Sequence, residues 1–258
     1  MAYKQRCNMG ADPRLLGRDF YVVAGVFLVL CVLSRIFGYL SFHVIAEFFT
    51  IIISFFVFFM IVIHRNAGLS TFLLFVGSAY FTVGLLDIFH TLSYKGMGVF
   101  NVNEINVATQ FWISARLAES SAYALGALFS SFVVPLFIPM AGYLVFGALV
   151  SYLILYTGMF PDALLADTGL TGFKIYTEYI IISLLLFTMI SLYRLRTNFS
   201  SRLHLLFILA ISTSVISEFF FTLYNDVYGV MNMLGHVTKG ISFYFILNAT
   251  VASIKGEE

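Results

Sequence analysis

Charge is what this chain has least of. Asp, Glu, Lys and Arg together supply 10% of its 258 residues, against about 25% in an ordinary soluble domain. A globule so poor in polar surface would not stay in solution. Cysteine is equally scarce: Cys7 lies in the amino-terminal tail and Cys31 inside an apolar run, too few and too badly placed for a disulfide framework. There is no HExxH and no CxxC, no low-complexity linker and no internal repeat. The formal net charge of +1 provides no basic stripe for a nucleic-acid partner. What fills the composition instead is 60% apolar residues, 18% aromatics and a mean hydropathy of +0.96. Lipid is the solvent such a chain requires.

A spanning helix takes about 20 residues. Apolar runs of that length lie at 19–40, 41–65, 70–92, 107–130, 133–158, 172–194, 202–224 and 230–254. The expectation is an all-α polytopic bundle of eight transmembrane helices forming one domain over 19–254, with a tail at 1–18 and a linker beginning at 255–258. The first run is flanked by a long polar tail, so it reads as a retained span and not as a removable signal peptide. Pro135 and Pro139 begin or kink the fifth helix.

Lys and Arg favour cytoplasmic loops. Lys4, Arg6, Arg14, Arg18, Arg65, Arg194, Arg196, Arg202 and Lys255 all fall in one set of loops and tails, whereas the other set has Lys95 beside Glu104, Asp162, Asp167 and Asp226. Both termini are therefore expected in the cytoplasm. The outer segments KGMGVFNVNEIN and PDALLADTGLTG are lid candidates.

A charge at bilayer depth costs at least about 2.5–3.5 kcal/mol, so such groups face a bundle interior and pair. Arg35, Glu47, Asp87, Arg116, Glu119, Glu178, Glu218 and Lys239 nevertheless fall inside apolar runs, with His43, His90 and His236, and Lys174 close to a span entrance. On the orientation above, each lies in the outer half of its helix. His43 and Glu47 are four residues apart; Asp87 and His90, Arg116 and Glu119, and His236 and Lys239 are three apart, so each pair shares a helix face. This points to one chamber beneath the outer surface. Register-fixing ion pairs remain the competing reading for any single pair. Counting Arg35 among the bases, the acids exceed them by about one charge before any histidine protonates.

His43, Glu47, His90 and His236 form a candidate set for a divalent metal, and paired histidines are candidate axial ligands for a haem; a hydrogen-bonded histidine network is the alternative. His64 and His204 sit beside arginines at the cytoplasmic rim and read as interfacial. Tyr94, Trp112, Tyr176, Tyr179, Tyr224 and Tyr228 crowd the outer ends as an aromatic belt, some of them chamber-facing.

The polar stretches HVIAEFFTIIISFFVFF from His43, LDIFHTLSYKGMG from Leu86, QFWISARLAES from Gln110 and FTLYNDVYGVMNMLGHVTKGISFYF from Phe221 together resemble the third type of the bacterial and archaeal membrane-associated sensor domains, the MASE group. The likeness covers nearly the whole chain. It implies an integral sensory module of a prokaryotic cytoplasmic membrane, set before a histidine kinase or diguanylate cyclase output domain. The positions it carries over are His43, Glu47, Asp87, His90, Tyr94, Lys95, Gly96, Met97, Gln110, Trp112, Arg116, Glu119, Glu218, His236 and Lys239; Glu178 joins this candidate ligand network from the residue reading alone. Since the sequence stops at SIKGEE, either it is the sensor portion of a longer protein or it signals through a separate partner.

The expectation is thus a signal-input module and not an enzyme: a small ligand or cofactor binds the outer chamber and the last helix relays the change to an output domain. The expected partners are membrane lipid, a small-molecule signal and a cytoplasmic output domain or partner, with a homodimer as an option and no nucleic acid. An intramembrane hydrolase with a His/carboxylate zinc site is the first alternative. A small-molecule transporter ranks behind it, because neither paired halves nor broken helices are visible.

Overall fold

The computed structural model describes residues 18–100, 104–167, 169–196, 199–223 and 227–256. Cys7, the tail residues Lys4, Arg6 and Arg14, Tyr224 and Asp226 lie outside the described residues. Within them run eight helices: α1 Arg18–Ile36, α2 Tyr39–Ile63, α3 Thr71–Leu92, α4 Glu104–Leu128, α5 Phe137–Tyr152, α6 Gly172–Arg194, α7 Ser201–Leu223 and α8 Val230–Ile254. A π-helical turn, Leu153–Thr157, extends α5, and a hairpin of two-residue strands, β1 Leu164–Leu165 and β2 Gly169–Leu170, interrupts the α5–α6 connection. Among the described residues, the hairpin is the one departure from an all-α reading. The protein is a polytopic membrane helix bundle.

Local chemistry explains the boundaries. Only Phe37 and Gly38 separate α1 from α2, and Gly38 has φ +110°, a conformation that L side chains rarely adopt. Ser70 and Thr171 cap α3 and α6 by accepting from the amides of Leu73 and Lys174. Pro135 precedes α5 and Pro139 sits in its first turn, where a missing N–H breaks no helical bond. The prolines therefore start α5 without kinking it.

Among the described residues, six helices are long and apolar enough to cross a membrane: α2, α3, α5 with its π turn, α6, α7 and α8. The other two differ from the expected eight uniform spans for different reasons. The apolar part of α1 is short, Phe20–Ile36. Helix α4 carries Asn106, Gln110, Ser114, Arg116, Glu119, Ser120 and Ser121, and every one of these except Ser121 is buried. It stands in the middle of the bundle, packed against α3 and α6, where protein replaces lipid as its solvent. The other closest pairs are α7 with α8 and α2 with both α3 and α8, while α1 packs on α2, α5 on α3 and α6 on α7. Tyr21, Val22, Val26 and Val32 of α1 and Val145, Leu149 and Tyr152 of α5 stay exposed, as lipid-facing positions should.

Candidate functional site

Helices α2, α3 and α8 meet at the end of the bundle that bears the α1–α2, α3–α4 and α7–α8 connections. His43 and Glu47 occupy the first turns of α2, Asp87 and His90 the last turns of α3, and His236 and Lys239 the first turns of α8. Arg116 reaches them from the midpoint of α4. All seven are at most 4% exposed, so each charge must find its partner inside the protein.

Glu47 is the hub. One oxygen accepts from His236 Nδ1 at 2.8 Å, and both accept from Lys239 Nζ at 3.0 and 2.8 Å. Lys239 Nζ also lies 3.1 Å from Asp87 Oδ2. Asp87 in turn accepts from Arg116 Nη2 on both oxygens, at 3.0 and 2.8 Å. The other amino group of Arg116 donates to Glu119, one turn along α4. Glu119 then accepts from the hydroxyls of Tyr80 and Tyr123, at 3.1 and 3.2 Å. The chain of partners thus runs Glu47, Lys239, Asp87, Arg116, Glu119 through four helices. It passes the midpoint of α4 at Glu119, beyond the half that begins at the chamber end, because the side chains follow the contact between α3 and α4.

The imidazoles form a second layer. His90 Nδ1 lies 2.8 Å from the carbonyl of Ala108, an acceptor only, so His90 carries its proton there and presents a lone pair at Nε2. That atom lies 3.1 Å from Nε2 of His43. His43 stacks on Tyr94 with ring centroids 3.7 Å apart, and its Nδ1 is buried without a hydrogen-bond partner among the described residues. Suitable donor atoms of His43, Glu47, His90 and His236 all lie within 4.8 Å of one another. These are the four residues expected as metal ligands.

A neighbouring cluster holds the rest of the acids. Lys174 pairs with Glu178 one turn on, at 2.5 Å, and donates to the carbonyl of Phe221, also at 2.5 Å. Glu218 is buried with Oε2 unpartnered among the described residues, and its electrostatic neighbours are Glu178, Arg116, Glu119 and Lys174. Trp112 lies between the clusters, its ring 5.5 Å from Lys174 Nζ and 4.6 Å from the Phe221 ring.

Several sequence-level placements change. Arg35 is exposed, with its guanidinium 5.4 Å from the Tyr39 ring, and takes no part in the network. Without it, Glu47, Asp87, Glu119, Glu178 and Glu218 face only Arg116, Lys174 and Lys239, a formal charge of −2 with neutral imidazoles. Gln110 is buried but turns away from the network to donate to the carbonyls of Phe160 and Pro161. Tyr94 and Trp112 are interior and not belt residues, whereas Tyr176 and Tyr179 are 71% and 51% exposed, as a belt demands. Lys95 is exposed at the mouth, 6.0 Å from the Tyr228 ring. Sequence reading missed Tyr80, Tyr123 and Asn232. A tyrosine hydroxyl in mid-helix was the available signal for the first two, and an asparagine one turn before His236 for the third.

The lid candidate at 161–172 is tied down. Asn106 donates to Asp162 at 2.7 Å and accepts from the amides of Ala163 and Leu164, and Ala163 is fully buried.

Beside the histidines lies a cavity of about 30 Å³, lined by His90, Tyr94, Lys95, Trp112, Asn232 and His236 among others. That holds a water or two; drug-sized ligands take roughly 300–1,000 Å³. A haem does not fit: the cavity is too small, and imidazole nitrogens 3.1 Å apart leave no gap for a macrocycle. A single ion does fit the donor set.

No curated protein and no solved structure matches the chain. The profile of the MASE3 membrane-associated sensor domain matches residues 34–254, which takes in α2 to α8 and every member of the buried network, and the chain therefore belongs to the MASE3 family of membrane-associated sensor domains.

Proposed function

We propose that this sensor domain reads a small ligand in the histidine-lined chamber and reports it by exchanging partners within the ion-pair chain, with α8 carrying the change to an output domain of the histidine kinase or diguanylate cyclase type. One observation carries the reading: the Lys239 ammonium lies between two carboxylates on different helices, 2.8 Å from Glu47 and 3.1 Å from Asp87. A ligand moves an equilibrium only through differential affinity for its two states. A group that binds the Glu47 side favours Lys239 on Asp87, which competes with Arg116 and so biases α8 and α4 against α2 and α3. The outer-chamber, cytoplasmic-termini orientation from the charge rule is part of this proposal. The zinc hydrolase reading is weaker, because a lipid substrate needs an opening far larger than the cavity beside His90 and His236.

The test joins the chain through the end of α8 to a diguanylate cyclase reporter and compares cyclic dinucleotide output across media differing in metal content and pH. Wild-type output is expected to vary severalfold. Arg116→Lys, which keeps the charge but loses the two-pronged contact, and Glu47→Gln are expected to hold one level in all media at wild-type membrane abundance. Variants that follow wild type, or a wild type that never varies, sink the proposal.

A further inference from the structure

We propose that His43, His90, His236 and Glu47 bind one divalent transition ion of zinc's coordination type, which is the ligand the sensor reads; this rests on the sensing role proposed for the chamber. Four features of the chamber support it, none of which an ordinary buried histidine cluster requires.

The first is spacing. Zinc holds nitrogen donors at about 2.0–2.1 Å, so two corners of its tetrahedron stand roughly 3.3 Å apart. His43 Nε2 and His90 Nε2 are 3.1 Å apart, and one donor from each of the four residues falls within 4.8 Å of all the others. Only small side-chain shifts separate this from a coordination sphere.

The second is protonation. Metal-binding imidazoles generally pass their other N–H to a carbonyl or carboxylate, which fixes the tautomer. His90 does this to Ala108 at 2.8 Å, which leaves its Nε2 as a lone pair facing the other donors. That lone pair faces His43 Nε2 at 3.1 Å, so without an ion His43 donates to His90 through the same atom that would otherwise bind the metal.

The third is charge. In the network that holds the site, Glu47, Asp87 and Glu119 outnumber Arg116 and Lys239 by one, so its formal charge is negative and a bound cation offsets it. Lys239 is no obstacle, since Asp87 Oδ2 already stands 3.1 Å from its ammonium and can receive it when the ion takes Glu47.

The fourth is donor chemistry. Three imidazoles and one carboxylate, with no thiolate, suit zinc, copper, iron or nickel and not magnesium or calcium, which prefer oxygen throughout.

The full chain, purified into lipid nanodiscs and stripped with a chelator, is reloaded with Zn²⁺ or Co²⁺. Zinc analysis is expected to give about one ion per chain, and cobalt a strong visible absorption characteristic of four-coordinate geometry. His90→Ala and His43→Gln are expected to weaken zinc binding at least about tenfold, while His64→Ala, at the opposite end of α2, binds as wild type. Wild type that takes up no zinc and yields no cobalt band overturns the inference, with no variant needed. Zinc uptake that His90→Ala and His43→Gln leave unchanged overturns it too, by locating the ion elsewhere. Loss of the metal with Glu47→Gln still locking reporter output removes the ion and leaves the sensor. Intact zinc binding with a freely responding Glu47→Gln does the reverse.

Discussion

Asn106 shows what one side chain does for the connections at the chamber end. Its amide donates to Asp162 and its carbonyl oxygen accepts from two successive backbone amides, which pins the hairpin segment over the start of α4. Gln110, one turn further, holds the carbonyls of Phe160 and Pro161. Leaving buried backbone donors unsatisfied costs about 1–3 kcal/mol. Asn106→Ala is therefore expected to loosen residues 160–171, with amide exchange there at least about tenfold faster by mass spectrometry, while α2, α3 and α8 keep wild-type protection. Unchanged exchange over 160–171 would mean that the strands and Thr171, which donates to Asp162 at 2.6 Å, hold the loop without Asn106. Arg116 is the opposite kind of residue. Its i+3 partner Glu119 was legible from spacing, but Asp87 was not, because nothing along the chain says which face of α3 turns towards α4.

Helix contacts in this bundle depend on small residues at close approaches. A Cβ added at Gly235 of α8 would lie 2.6–2.8 Å from three atoms of the Phe221 ring on α7. That ring is hemmed in, 4.6 Å from Trp112 and 5.0 Å from the His236 ring. It can yield only towards the chamber or by parting α7 from α8. Overpacking of this sort costs typically about 1–3 kcal/mol. Gly235→Ala is expected to lower the thermal unfolding temperature in detergent and to shift the reporter baseline, since the displaced ring presses on His236. Gly142, with nothing within 4 Å of an added Cβ, is the matched control: Gly142→Ala should change neither. The fifth helix also illustrates reading from sequence. Its start near Pro135 was legible, but the π turn at its end was not, since no sequence signal marks a five-residue change of pitch.

For the bundle as a unit, the proposed orientation puts the chamber end outward, which labelling can test. Val99 is exposed at the chamber end, 54% accessible. Ser201 opens α7 and is exposed at the other end. With Cys7 replaced by serine and the buried Cys31 left in place, Val99→Cys is expected to react with a membrane-impermeant maleimide in intact cells, and Ser201→Cys only after the membrane is opened. The reverse pattern would invert the topology and place the chamber on the cytoplasmic side. The central position of α4 follows from the same physics. Its polar residues make it the poorest candidate to face lipid, and the other helices shield it as the bundle assembles.

The eight helices were readable without coordinates, six of them as apolar segments long enough to span, because transfer into hydrocarbon is a nearly additive property of about 20 consecutive residues. The choice of candidate site residues was readable for a related reason: a charge within such a segment is costly enough that it needs an interior partner. Pairing was a matter for the folded protein alone. Arg35 and Arg116 look alike in sequence, yet one lies on an exposed face of α1 and the other is the link between Asp87 and Glu119. The difference is the rotation of each helix about its axis, set by side-chain packing against several neighbours at once, and no local pattern encodes it.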